Sequence, residues 1–95
     1  MALTYFGFIV TGDSFEQMQG TENFRMKVVG VKHASEGVEV AKKMLDEGVQ
    51  LIELCGGFGP IWTGKIIESI GAAIPVGSVG YGPESIDSMH ALFAN

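Results

Sequence analysis

The sequence predicts an α/β fold: a small three-layer sandwich of about four mainly parallel strands, in βαβαβα order after an N-terminal strand. Three observations carry this. Four apolar runs recur, at Leu3–Thr11, Met26–Lys32, Val49–Cys55 and Ile74–Val79. Segments with helical apolar spacing separate the later runs and follow the last one. Glycine is abundant, 14 of 95 residues, and marks element ends instead of clustering, which favours tight βα turns over long helices.

Taken in order, Leu3 to Thr11 is aromatic and β-branched and reads as a strand. Gly12 to Arg25 is polar, and a short helical turn over Ser14–Gln19, capped by Asp13 or Ser14, is predicted there. Met26 to Lys32 is the second strand. Ser35 then stands as an N-cap, Val40, Ala41, Met44 and Leu45 form one apolar stripe, and Glu39 and Lys43 form an i,i+4 pair on the wet side. Gly48 closes that helix in the C′ position, and the third strand follows at once.

Pro60 suits the first position of the next helix, where its missing N–H leaves no bond unmade. Ile66, Ile67 and Ile70 give that helix its buried face, and Gly71 ends it. Pro75 is tolerated near the start of the fourth strand. Pro83 and Glu84 open a last helix with Ile86, Met89, His90 and Phe93 on one side. Alternation of strands and helices implies parallel pairing with right-handed crossovers, and strand order 2-1-3-4 is the arrangement expected. Continuous apolar runs imply strands covered on both faces.

Ninety-five residues make one domain, residues 1–95. Charged residues are 18% of the chain, below the ~25% typical of soluble domains, and so small a domain buries little more than ~60% of its unfolded surface. Both point to a homo-oligomer, a dimer or higher. A net charge of -5 with 6 Lys+Arg lacks the basic footprint of a nucleic-acid binder. One cysteine, Cys55, excludes an internal disulfide. The apolar start has no basic region typical of a signal peptide, and no run approaches the ~20 apolar residues of a membrane span. A cytoplasmic location without a membrane partner is expected.

In a parallel sheet the strand C-termini gather along one edge, where open α/β sheets bind ligands. That edge is predicted to collect Thr11 and Asp13, Lys32 and His33, Glu53 and Cys55, and Ser78 and Tyr81. The most informative stretch is Val49 to Ile67: a buried strand, then Gly56-Gly57-Phe58-Gly59, then the helix opened by Pro60. Bare backbone at a helix N-terminus is suited to an anion or polar small molecule, so Gly56, Gly57, Phe58, Gly59, Lys65 and Ser78 are the candidate ligand-binding residues. Glu53, Cys55 and His33 are the candidate catalytic ones. Glu53 reads as an acid or base if desolvated, or as a structural acceptor. Cys55 reads as a nucleophile near a helix N-terminus with His33 as its base, or as a small buried hydrophobe. Trp62 and Phe58 would line a pocket or a subunit interface.

Gly59-Pro60-Ile61-Trp62-Thr63-Gly64-Lys65 has the spacing of a phosphate-binding P-loop, but Ile66 stands where the magnesium-binding Ser or Thr belongs. Nucleotide hydrolysis is not supported. No metal site is predicted, because His33, Glu53 and Cys55 fall in no ligand spacing, and no cofactor is identified.

Val28-Val29-Gly30-Val31-Lys32, Val38-Glu39-Val40-Ala41-Lys42, the block Ile52-Glu53-Leu54-Cys55-Gly56-Gly57-Phe58-Gly59 and Ile74-Pro75-Val76-Gly77 together resemble a family of small bacterial proteins of unknown function. The likeness runs from about Met26 onward and implies a compact α/β domain; it supplies no activity. A weaker likeness, to the phosphate-binding loops of a (β/α)₈ barrel, is one of fold only. The function read from the sequence is binding of an anionic or carbonyl-bearing small metabolite at Gly56–Gly59, with proton transfer as its chemistry. The alternative is a non-catalytic interaction or regulatory module acting as a homo-oligomer.

Overall fold

The computed structural model describes residues 2–94; Met1 and Asn95, the ends of the predicted domain, lie outside them. The fold is mixed α/β. Among the described residues there are five strands, β1 (Tyr5–Thr11), β2 (Phe15–Gly20), β3 (Arg25–Val31), β4 (Ile52–Leu54) and β5 (Val76–Ser78). Three helices join them, α1 (Gly37–Asp46), α2 (Gly59–Ser69) and α3 (Ile86–Phe93), with 3-10 turns at Ala34–Glu36, Gly56–Phe58 and Pro83–Ser85. The sheet order is β2-β3-β1-β4-β5. The pairs β1/β3, β1/β4 and β4/β5 are parallel, and β2/β3 is antiparallel.

The four strands read from the sequence therefore stand in the expected order, β3-β1-β4-β5. The fifth was missed. Ser14–Gln19 is no helical turn: Phe15–Gly20 pairs with β3 along its whole length, and Asp13 Oδ1 accepts a bond from the Ser14 N–H instead of capping a helix. The physical reason is topological. Two parallel neighbours require the chain to return to its starting end, and β2 makes that return where no crossover helix exists. As an edge strand it is exposed at every residue, so its burial pattern leaves little trace in the sequence.

Strand register divides the side chains between two faces. Tyr5, Ile9, Val29, Val31, Ile52 and Leu54 are buried on one face. There they meet Ala41 and Met44 of α1 and Ile66 of α2 in a single core cluster. The two helices also pack on each other, where Gly37 of α1 lies against Phe58 and Ile66. Gly48, at φ +89°, takes the left-handed conformation that closes α1 as predicted. Glu39 pairs with Lys42 at 3.2 Å, not with Lys43. Lys27 is buried on this face, held by Glu47 at 2.6 Å and Glu16 at 3.3 Å.

On the other face Phe6, Phe8, Val10, Met26 and Val28 are only half-buried, and Glu53 is exposed. The described residues thus form two layers where the sequence predicts three. Successive right-handed crossovers that progress the same way across a sheet leave both helices on the same side. Here β3-α1-β4 and β4-α2-β5 progress the same way. Helix α3 lies at the C-terminal edge of the sheet, with no buried residue. No helix among the described residues is long and apolar enough to cross a membrane.

Candidate functional site

Because β1, β3, β4 and β5 run in one direction, their C-terminal ends share one rim. The β1/β4 register sets Val10 across from Cys55, and Thr11, the next residue, reaches its sulfur. The Cys55 N–H donates to the Ile9 carbonyl at 3.1 Å, which extends the ladder one residue past β4. The Thr11 N–H then donates to Cys55 Sγ at 3.2 Å, and the Thr11 hydroxyl lies 3.4 Å from the same sulfur.

Cys55 occupies the extended position before the 3-10 turn Gly56–Phe58, with φ -69° and ψ 163°. In that position a side chain can accept bonds from the N–H groups of the turn that follows, but here the Phe58 N–H donates to the Cys55 carbonyl at 3.2 Å and no capping bond forms to the sulfur. Partial burial pushes the thiol up, but the Thr11 hydroxyl, the Thr11 N–H and the Gly57 and Phe58 N–H groups together outweigh it. The net effect holds the Cys55 thiol below its ordinary range. An added Cβ at Gly57 would collide with the Thr11 hydroxyl oxygen, so a larger residue there would have to turn that hydroxyl away from its place beside the sulfur.

Two clefts lie at this rim, and Cys55 lines the first of them. One, of about 380 Å³, is bounded by Val10, Thr11, Cys55, Gly57, Met89 and Phe93. The other, of about 430 Å³, is bounded by Gly59, Pro60, Ser78, Val79, Gly80 and Ile86. Gly56, Tyr81 and Met89 belong to both. The Tyr81 ring divides them, lying 3.1 Å from where a Cβ on Gly56 would stand.

The predicted binding residues separate accordingly. Gly56, Gly57, Gly59 and Ser78 face the clefts. Phe58 does not: it is 3% exposed and belongs to the core. Lys65 lines neither cleft, and its ammonium stacks 4.4 Å over the Trp62 ring. Of the predicted catalytic residues only Cys55 lines a cleft. Glu53 stands exposed between Phe8 and Gly77 in the sheet register. His33 is exposed, its N–H bonded to Glu36 Oε1 at 2.8 Å, and no hydrogen bond joins it to Cys55. His90 is exposed as well.

Sequence reading missed the walls supplied by Val10, Met89 and Phe93. It also missed the direct Thr11–sulfur bonds, although the expected adjacency of strands one and three implied them. The glycine-rich turn was read as a cradle for an external anion. Its Phe58 N–H instead turns back to the Cys55 carbonyl at 3.2 Å. Among the described residues no group of three or more His, Cys, Asp or Glu side chains could hold a metal ion.

A family model described as a family of unknown function, DUF6506, matches residues 4–94. No curated protein matches the chain.

Proposed function

The chain belongs to the DUF6506 family of unknown function, and from its own geometry we propose that it binds a small carbonyl-bearing molecule in the rim cleft, with Cys55 as the group that engages it. The observation that carries this is the sulfur itself. Cys55 is half-buried, faces a cleft of about 380 Å³, and is held below its usual pKa by donors from Thr11 and the glycine turn. A thiolate is a nucleophile, and stabilising it raises its population at neutral pH.

Between the two ligand classes the sequence offers, a nucleophilic sulfur suits an electrophilic carbonyl carbon, whereas an anion beside it would oppose the thiolate form that the site favours. In the proposed step the sulfur lone pair forms a C–S bond, and the carbonyl π pair moves to oxygen. That oxygen takes a proton from solvent, giving a reversible hemithioacetal. The Thr11 hydroxyl, 3.4 Å from the sulfur, is a side-chain donor available to the developing alkoxide. Val10, Met89 and Phe93 offer apolar surface to the carbon skeleton. Glu53 and His33 have no part in this reading.

The test is alkylation of Cys55 by iodoacetamide across pH, followed by a thermal-shift series with small aldehydes. The rate midpoint is expected below the ~8.5 of a free thiol, and Thr11→Val, which removes the hydroxyl, is expected to move it upward. Aldehydes should raise the melting temperature of the wild-type chain and not of Cys55→Ser. A midpoint at or above that of a free thiol, or an aldehyde response that survives Cys55→Ser, overturns the reading.

A further inference from the structure

We propose that the sheet face carrying Phe6, Phe8, Val10, Met26 and Val28 is the interface of a homodimer, in which a second copy stacks its own sheet on this one. All-parallel sheets occur almost only with both faces covered, and every strand pair here but β2/β3 is parallel. Here α1 and α2 share one face, and the other is left half-buried. The second copy is the missing layer.

The distribution of residue types on this face is that of an interface, with an apolar centre and a polar rim. The pairs Phe6–Met26 and Phe8–Val28 lie across the central strands β1 and β3. Phe24 extends the patch, its ring 5.5 Å from that of Phe6, and Phe15 covers Gly30 while staying 42% exposed. The flanks are polar. Gln17 and Gln19 face this side from β2, and Glu53 faces it from β4. Glu53 is the one formal charge that the described strands place on the face. It stands on β4 across from Phe8, at the margin of a partner centred on β1 and β3, where its carboxylate reaches solvent at the rim.

Size and symmetry favour a second copy. Strands β2, β3, β1 and β4, of six, seven, seven and three residues, at ~4.8 Å spacing and ~3.3 Å per residue give a patch on the order of 360 Å² in projection. Side-chain relief raises the accessible area above the projection, so two such faces remove on the order of 1,000 Å² from water, the threshold of a specific interface. A patch whose centre carries no charge meets itself without repulsion there, although the whole chain carries -5. A two-fold dimer uses the same patch on both partners. Val10 belongs both to this face and to the Cys55 cleft, so the partner stands beside the cleft. The interface does not depend on the sulfur.

Sedimentation equilibrium with wild-type protein at tens of micromolar should give twice the chain's 10.1 kDa. Phe8→Lys and Val28→Lys should weaken the dimer on the order of 100-fold or more, as expected for charges placed at an interface centre, while the far-UV circular dichroism stays unchanged. Cys55→Ser and Glu53→Gln should remain dimeric. A wild-type monomer at hundreds of micromolar, as a face made for a different protein would give, overturns the proposal, and so does a dimer that survives both lysine variants. If both variants fail to fold, a soluble paramagnetic probe decides on wild-type protein. Protected Val28 and Met26 methyl groups support the dimer, and methyl groups as accessible as those of exposed Leu92 overturn it.

Discussion

The two faces of β1 and β3 are built from neighbouring residues of the same strands, yet they have different fates. Ile9 is fully buried, whereas Phe8 and Val10 on either side of it are half-open. Val29 is buried beside half-open Val28. The difference lies in neither hydrophobicity nor strand propensity. It lies in supply: the chain provides two helices able to cover a sheet, and the handedness of their crossovers sends both to one side. A continuous apolar strand therefore states that two faces are meant to be covered, and leaves open whether the same molecule covers them.

The sharpest way to break this comparison is to truncate one residue on each face. Ile9→Ala removes a side chain with 0% exposure from the middle of the core, and is expected to cost about 2–5 kcal/mol. Phe8→Ala, measured by urea unfolding at concentrations dilute enough for a monomer, is expected to cost about 1 kcal/mol, since the ring has little packing to lose on one side. Equal costs would mean that the two faces are equally covered within one chain.

A second, smaller effect probes the charged margin of the closed face. Lys27 is buried at its edge. Its hydrogen bond to Glu47 raises the ammonium pKa above 10.5, burial opposes this, and Glu16 adds to the rise. A group whose pKa is higher in the folded state contributes stability below its unfolded value and loses it as pH climbs through the folded value. Wild-type protein should therefore lose stability as pH rises beyond 10.5, the ordinary lysine value. Lys27→Met keeps the apolar stem without the charge and should flatten that part of the profile in alkaline urea titrations. Identical alkaline profiles for the two proteins would remove the ion triad from the account of this face.

Much of this architecture was legible in the sequence. Four strands and the helices between them follow from periodicity, from Pro60 and from Gly48. The parallel rim follows from their alternation. What was not legible has specific causes. β2 is an exposed edge strand whose Phe15-Glu16-Gln17-Met18-Gln19 run carries little burial signal. Lys27 sits inside an apolar run, and its partners Glu16 and Glu47 come from an unpredicted strand and from the end of α1. At the site, a sequence places Cys55 next to a glycine turn but cannot say where the turn's N–H groups point. That the Phe58 N–H turns back to the Cys55 carbonyl, while the Thr11 N–H reaches the sulfur, is a matter of backbone geometry. Glu53 misled for a similar reason: a carboxylate within an apolar run suggests a buried acid, whereas its alternate position in β4 sends it to the open face.

The smallest effect separates a surface that belongs to solvent from one that awaits a partner. Glu39 and Lys42 lie on the wet side of α1, their side chains 80% and 50% exposed and 3.2 Å apart. Exposed pairs of this kind contribute at most about 0.5 kcal/mol, and salt screens even that. Glu39→Gln should therefore shift the urea midpoint barely above error, and by the same amount at low and high protein concentration. Substitutions on the open sheet face should behave otherwise. Phe8→Ala costs about 1 kcal/mol in dilute protein and becomes costlier as concentration rises, because its remaining contacts belong to a second molecule. Concentration dependence, rather than exposure in one chain, thus distinguishes the two kinds of surface. If Phe8→Ala proved as indifferent to concentration as Glu39→Gln, the open face would be a surface like any other.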